Sequence, residues 1–199
     1  SVAAEFRDKG TAEHLDRISR LTSRLAAAMG LNAERVELIR TASPMHDIGK
    51  IAIPDSILLK PGALTEQERR VVQTHCEVGA TILANPTNDL MAMAREIALY
   101  HHERWDGGGY TGGLSGEDIP LTARITGLAD VLDALVSRRC YKDAFPAEKV
   151  VGILRAESGR HFDPRVVEAL WSIMEEVAGW YWPQRQAPST GHWSSGGGK

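Results

Sequence analysis

Cysteine is scarce in this 199-residue sequence: only Cys76 and Cys140 occur, and they do not form a CxxC pair. This scarcity argues against a disulfide framework and against a zinc site built from thiolates, and it favours a reducing compartment. The sequence also lacks an apolar run of roughly 20 residues, the length that spans a bilayer. Its first residues do not resemble a signal peptide. We therefore expect a cytoplasmic protein without a membrane span.

Positive charge is not in surplus either. The formal net charge is -3 and the pI is near 6.2, which excludes a general affinity for nucleic acid or anionic membranes. With 43% hydrophobic residues and a mean hydropathy of -0.24, the chain can bury one core of moderate size. We expect one domain over residues 1–182. From residue 183 onward the composition shifts to Pro, Gln, Ser and Gly, which predicts a disordered tail or a cloning remnant over residues 183–199.

The apolar residues recur at spacings of three and four, which is typical of amphipathic helices. No segment shows the strict period of two that predicts a strand, so we expect an all-α fold, a compact helical bundle. Asn32, Thr65 and Asp163 stand where helix N-caps are expected, and Thr65 with Glu68 has the form of a capping box. The predicted helices cover residues 15–29, 32–45, 65–82, 89–102, 121–136 and 163–178.

Histidines and aspartates recur along these helices at similar intervals. The intervals are 32 residues from His14 to His46, 29 to His75, 26 to His101, and 28 from His102 to Asp130. Each interval is about one helix plus its connection. Considered singly, His14 and Asp130 could face water, and His75 could be a hydrogen-bonded core residue.

Taken together, these side chains point to a metal centre. Buried imidazoles and carboxylates in an apolar bundle carry a desolvation cost that a shared cation offsets, and helix bundles build dinuclear centres from such groups on several helices. Imidazole and carboxylate without thiolate favour iron, manganese, zinc or nickel over calcium. The adjacent pair His101 and His102 requires a bent or ending helix, because successive side chains on a regular helix diverge by about 100°.

Several separated motifs occur in a fixed order: MHDIGK at His46 and Asp47, HHERWDGGGY at His101, the segment ADVLDAL at Asp130, and GRHFDP near the end. In this order they resemble the HD-GYP family of HD-domain phosphohydrolases over residues 8–178. The resemblance implies an all-α catalytic domain of the HD type. It also implies hydrolysis of the bacterial second messenger cyclic di-GMP to pGpG, and in some members to GMP.

The resemblance also implies roles for individual residues. One metal ion, iron or manganese, would be held by His14, His46, Asp47 and Asp130. A second would be held by His75, His101 and His102, with Asp47 bridging the two ions. Asp47 and Lys50 would act in catalysis, and the substrate would be contacted by Lys50, Tyr110, Arg139 and Lys142.

The sequence departs from the family pattern at two positions. Gly10 stands where a glutamate can serve a third metal, so we expect two ions, with Glu13 pointing away from the face of His14. Thr111 replaces the proline of the GYP motif, which predicts a more mobile substrate loop.

Two other functions stay open at this point. One is an HD phosphohydrolase for another nucleotide, including a mixed cyclic dinucleotide. The other is a metal-containing cyclic di-GMP receptor that signals through a partner such as a GGDEF-domain protein. A homodimer is a further partner hypothesis. Because the sequence begins without methionine, we also expect a fragment or processed chain with an upstream regulatory domain.

Overall fold

The computed structural model describes residues 12–137 and 145–182. These residues form helices and no β-strand, with one isolated bridge between Ser158 and Phe162. The predicted all-α class is confirmed. In chain order the helices are α1 Ala12–Ala28, α2 Ala33–Ala42, α3 Asp55–Leu58, α4 Glu66–Gln73, α5 His75–Ile82, α6 Asp89–Tyr100, α7 Leu121–Val136, α8 Ala147–Glu157, α9 Pro164–Ser172 and α10 Met174–Tyr181. Short 3-10 helices cover Ser43–Met45, Ile48–Ala52 and Gly116–Asp118.

The core lies between α1, α7 and the helices packed around them. Helix α1 contacts α2, α7 and α9, and α6 joins α2 to α7. The apolar ridges meet in the middle of the bundle, where fully buried residues include Ile18, Leu21, Leu25, Ile125, Leu128, Leu132 and Leu170. Burying each such side chain contributes about 1.5–3 kcal/mol to stability. The bundle therefore fixes the relative positions of α1 and α7, which both carry predicted metal ligands.

The three predicted N-caps are present. The Asn32 side chain accepts a hydrogen bond from the backbone N–H of Arg35 at 2.9 Å. Thr65 and Glu68 form the predicted capping box, in which each side chain accepts from the other residue's backbone N–H. Asp163 caps α9, whose first residue is Pro164.

Three predicted helices are interrupted. The helix predicted over 32–45 ends at Ala42 and continues as a 3-10 turn through Pro44, which has no N–H to donate. The helix predicted over 65–82 divides at Thr74, whose N–H bonds to the carbonyl of Val71 in a tighter turn. The helix predicted over 163–178 divides in the same way at Ile173. The division at Thr74 makes His75 the first residue of its own helix.

The prediction of a domain ending at residue 182 stays a prediction, because residues 183–199 lie outside the described ranges. Among the described helices, none combines the length and apolar character needed to cross a bilayer.

Candidate metal centre

The predicted ligands lie at the ends or interruptions of helices, with one exception. His14 is in the first turn of α1, and His46 and Asp47 lie between two 3-10 helices. His75 begins α5, and His101 caps the C-terminus of α6. Asp130 alone lies inside a helix, α7. The chain thus brings five separate segments to one point.

Two glycines allow these segments to approach closely. A Cβ on Gly49 would lie 1.9 Å from the backbone oxygen of His75, and a Cβ on Gly127 would lie 2.6 Å from that of His101. Both distances are far below van der Waals contact, so neither position accepts a side chain without displacing backbone. Gly49 therefore holds the Asp47 segment against α5, and Gly127 holds α7 against the end of α6.

The potential ligand atoms form two clusters. In the first, one atom each from His75, Cys76, His101 and His102 lies within 4.8 Å of all the others. In the second, the same holds for His14, His46 and Asp130. These clusters contain the histidines and Asp130 of the two ligand sets implied by the family resemblance, with Cys76 added and without Asp47, and either cluster could hold a divalent cation.

Three of the histidines are oriented in the same way. In each, Nδ1 contacts a backbone carbonyl, which can only accept, so Nδ1 carries the proton and Nε2 is the atom available to a metal. These contacts join His46 to Ser43 at 2.9 Å, His75 to Val72 at 2.7 Å and His101 to Ile97 at 3.0 Å.

Asp47 lies between the two clusters. Its Oδ1 is 3.2 Å from His75 Nε2 and 3.7 Å from His101 Nε2, whereas its Oδ2 is 3.3 Å from His46 Nε2. Oδ2 also forms an ion pair with Lys50 Nζ at 2.7 Å. Oδ1 is buried and has no hydrogen bond of good geometry among the described residues. One carboxylate oxygen therefore faces each cluster, as a bridging ligand requires.

His14 is oriented by a carboxylate that the sequence analysis did not single out. Its Nδ1 donates to Asp133 Oδ2 at 2.7 Å. Asp133 also accepts from Arg17 Nε at 2.6 Å and from the Tyr181 hydroxyl at 3.0 Å. The spacing of Asp130 and Asp133 in ADVLDAL was the available clue, because residues three apart share one face of a helix.

Burial and charge shift the pKa values in the first cluster. Burial lowers the pKa of His75, but the Asp47 carboxylate and Cys76 outweigh it and raise that pKa to about 10. Burial lowers the pKa of His101. The pKa of His102 is also lowered, first by burial and then by charge repulsion from His101 and His75. His101 and His102 are therefore neutral near pH 7, the form that binds a metal. A metal at His75 must displace a proton, which couples binding to pH.

Asp47 itself is held as a carboxylate. Burial raises its pKa, but the positive charge of Lys50, together with His46 and His101, holds the pKa well below its ordinary value. It is therefore a negatively charged ligand at neutral pH.

The adjacent histidines follow the end of a helix, as the sequence predicted, and both belong to one cluster of potential ligands. Helix α6 ends at Tyr100, and the rings of His101 and His102 lie 4.1 Å apart at an interplanar angle of 44°. Tyr110 then stacks on His102, with ring centroids 4.9 Å apart. This contact places the predicted substrate residue Tyr110 beside the first cluster.

The loop after Tyr110 is tied to the end of α6 by Glu103. This buried carboxylate accepts from the backbone N–H groups of Gly112 and Gly113 through Oε1. Directly before these two glycines, Thr111 has a φ of 106°, which proline cannot adopt. The backbone conformation of this loop is therefore incompatible with a proline at position 111. The sequence analysis predicted only greater mobility of the loop and not this difference in conformation.

Cys76 was left out of the predicted ligand set because the sequence has no CxxC pair. Its side chain is fully buried, and its Sγ lies 3.4 Å from His75 Nε2. The thiol therefore belongs to the group of potential ligands. The clue in the sequence was its position directly after His75.

Several predicted residues cannot be placed. Arg139, Lys142 and Gly10 lie outside the described residues, so their roles stay predictions. Glu13 is exposed, as expected for a side chain directed away from the site.

An all-α bundle that gathers histidines and aspartates at one point belongs to a class of helical domains able to hold divalent metals. The profile of the HD domain family matches residues 3–166. The chain belongs to the HD domain family. This membership agrees with the resemblance seen in the sequence motifs.

Curated relatives share much of the sequence. The cyclic di-GMP phosphodiesterase response regulator RpfG of Xanthomonas campestris pv. campestris is 48% identical over 180 residues, covering 89% of this chain and 48% of RpfG. The 3'3'-cGAMP-specific phosphodiesterase 2 of Vibrio cholerae is 47% identical, covering 87% of this chain and 33% of that protein. A cyclic di-GMP phosphodiesterase of Thermotoga maritima is 42% identical, covering 91% and 49%. The chain thus spans half or less of these relatives.

Solved structures share the fold. A cyclic GMP-AMP specific phosphodiesterase of V. cholerae, V-cGAP3, superposes with a TM-score of 0.67 at 20% identity, covering 89% of this chain and 48% of that one. The HD domain of the L. monocytogenes phosphodiesterase PgpH, in complex with cyclic-di-AMP, superposes with a TM-score of 0.61 at 21% identity, covering 91% and 96%. These likenesses confirm the predicted HD-type helical bundle.

Proposed function

We propose that this domain is a metal-dependent phosphodiesterase that hydrolyses cyclic di-GMP to pGpG, with GMP as the further product that some HD-GYP members form. The observation that carries the proposal is the position of Asp47, whose two oxygens face two separate clusters of potential ligands. The names of the RpfG and T. maritima relatives support the choice of substrate.

In this proposal each cluster holds one ion, iron or manganese in preference to zinc or nickel. One ion would be bound by His75, His101 and His102 of the first cluster. The other would be bound by His14, His46 and Asp130 of the second cluster, and Asp47 would bind both. When bound, such a pair of cations supplies a water nucleophile at neutral pH and neutralises the charge that develops on the phosphate. Two ions suffice because Gly10 has no side chain to serve a third.

The chain's own residues position the substrate. Lys50 Nζ lies 2.7 Å from Asp47 Oδ2, beside the proposed bridging ligand, where its ammonium group can attract a phosphate oxygen. Burial raises the pKa of Tyr110, so its phenol stays protonated and can donate a hydrogen bond. Arg139 and Lys142 complete the predicted set of phosphate contacts.

A second substrate has one observation in its favour. The V. cholerae relative named as specific for 3'3'-cGAMP is 47% identical to this chain, close to the 48% of RpfG. A receptor without efficient turnover is the other alternative, because Gly10 and Thr111 depart from the HD-GYP pattern. A GGDEF-domain partner, a homodimer, an upstream regulatory domain and a cytoplasmic location stay predictions from the sequence.

Product analysis tests the proposal. The protein is purified without chelators, loaded with manganese or with iron(II) under anaerobic conditions, and incubated separately with cyclic di-GMP and 3'3'-cGAMP. Its products are then separated by chromatography. We expect pGpG from cyclic di-GMP, and faster hydrolysis of 3'3'-cGAMP would favour the second substrate. Tight binding of unchanged cyclic di-GMP would favour the receptor.

A variant of Lys50 serves as an internal control. Lys50→Ala removes a phosphate contact but no proposed metal ligand, so we expect the bound metal to be retained while turnover falls. Full activity in this variant would remove Lys50 from the catalytic site.

A further inference from the structure

Cys76 lies inside the cluster of His75, His101 and His102. It occupies the first turn of α5 directly after His75, and none of its surface is exposed. Its sulfur and the potential ligand atoms of the three histidines all lie within 4.8 Å of one another. The thiol therefore shares the small space in which a metal ion would be held.

The spacing of these atoms fits donors that share one ion. Two donors bonded to one ion at an angle of about 109°, with metal–nitrogen bonds of about 2.05 Å and a metal–sulfur bond of about 2.3 Å, lie about 3.3 Å apart for two nitrogens and about 3.6 Å apart for nitrogen and sulfur. The observed separations are 3.5 Å between the Nε2 atoms of His75 and His101 and 3.4 Å between His75 Nε2 and Cys76 Sγ.

A second observation points independently to a cation at this place. The side chain of Asp47 is only 9% exposed, and its Oδ1 lies 3.2 Å from His75 Nε2 without a well-formed hydrogen bond in the described part of the chain. A buried carboxylate oxygen without a well-formed hydrogen bond is costly, and a nearby metal ion removes that cost.

We infer that Cys76 supplies a sulfur ligand to the metal bound by His75, His101 and His102; this inference rests on the metal centre proposed above. On binding, the S–H proton passes to solvent and a sulfur lone pair forms the metal–sulfur bond, with no change in oxidation state. Sulfur is a softer donor than nitrogen or oxygen. This position therefore favours iron(II) or cobalt over manganese more strongly than the position of His14, His46 and Asp130.

Cobalt(II) reports the sulfur ligand directly. Wild type, Cys76→Ser and Cys140→Ser are loaded with cobalt in a buffer free of added thiols, and the metal is counted by mass spectrometry. In the wild type we expect a thiolate-to-cobalt charge-transfer band in the near ultraviolet and a sulfur shell in X-ray absorption. Both should disappear in Cys76→Ser and persist in Cys140→Ser, which removes only the other thiol of the chain.

The outcomes separate the inference from the proposed function. Wild-type protein that binds cobalt without a sulfur shell would overturn the role of Cys76 and leave the metal centre intact. Wild-type protein that binds no cobalt would refute the centre and its sulfur ligand together. Sulfur signals that persist in Cys76→Ser would assign the ligand elsewhere. Circular dichroism checks the fold of each variant, and the Cys140→Ser spectra, in which Cys76 is the remaining thiol, decide the question if Cys76→Ser fails to fold.

Discussion

Asp133 allows a test of whether a residue outside the proposed ligand set orients a metal ligand, His14, by accepting its Nδ1 proton. It joins His14 on α1 to α7 across 119 residues of sequence, and its side chain is 2% exposed. In Asp133→Asn the side chain keeps its shape but loses its charge, so Arg17 loses its ionic partner and His14 loses a strong acceptor for its Nδ1 proton. We expect both the free energy of unfolding and the affinity for metal to fall.

The size of the stability loss follows from burial. Removing one member of a buried ion pair costs about 3–5 kcal/mol, because the remaining charge stays buried. Arg17 is 26% exposed, so water relieves part of this penalty and the lower end of about 3 kcal/mol is expected. The surface pair of Arg24 and Glu176 is a matched control, with side chains 47% and 40% exposed. Glu176→Gln should therefore cost less than about 1 kcal/mol in urea unfolding.

The loss has a defined pH dependence. Burial raises the pKa of Asp133, but hydrogen bonds from His14 and Arg17 outweigh it and hold the pKa far below its ordinary value. A depressed folded pKa gives stability that is fully present above the unfolded pKa of about 3.9 and is lost as the pH falls through the folded value. The difference between wild type and Asp133→Asn should thus be full at pH 7 and shrink below about pH 4.

Metal affinity separates orientation from stability. Loss of the group that orients a metal-binding histidine typically lowers affinity by about 10–100-fold, and we expect this in Asp133→Asn by competition with a chromophoric chelator. Arg17→Gln also breaks the ion pair but leaves the contact between His14 and Asp133, so it should lose stability and keep its affinity. Equal losses of affinity in the two variants would refute the orienting role.

Three further predictions test other parts of the site. Asp47→Ala should lower bound metal by more than one ion's share per chain and abolish hydrolysis; unchanged metal content by mass spectrometry would rule out the bridging role. Metal affinity should rise as the pH increases toward 10, because the His75 pKa is raised to about 10 and a metal must displace that proton; an affinity that does not change with pH in competition titrations would contradict this coupling. Thr111→Gly should raise the free energy of unfolding by about 1 kcal/mol, since glycine accepts the φ of 106° without strain, and Thr111→Pro should lower it; equal stability of the two variants in urea would show that the loop has another path.

The sequence was sufficient for the fold class and for most helices, because burial of one apolar stripe sets the spacing of Leu and Ile along each helix. The interruptions at Thr74 and Ile173 could not be predicted in the same way. Both are local i to i−3 turns inside continuous apolar patterns, and only packing against the rest of the bundle decides where such a turn forms.

The candidate site was predictable where chemistry and spacing act together. The histidines and Asp47 carry ligand atoms and recur once per helix, so their convergence followed from the helical pattern and the family resemblance. Asp133 and Cys76 escaped notice for different reasons. Asp133 acts through His14, 119 positions away. Cys76 was excluded as a metal ligand because the sequence has no CxxC pair, a criterion that does not consider the neighbouring His75.

The interruptions and the ligands occur at the same places for a geometric reason. Adjacent residues in a regular helix point about 100° apart, so a continuous helix would direct His101 and His102, or His46 and Asp47, toward different sides. The end of α6 at Tyr100 and the 3-10 turns around His46 remove this restriction. The division at Thr74 separates His75 from α4 and places it at the start of α5, with Cys76 in the same first turn. Helical regularity is therefore kept where the core needs it and lost where ligands must converge.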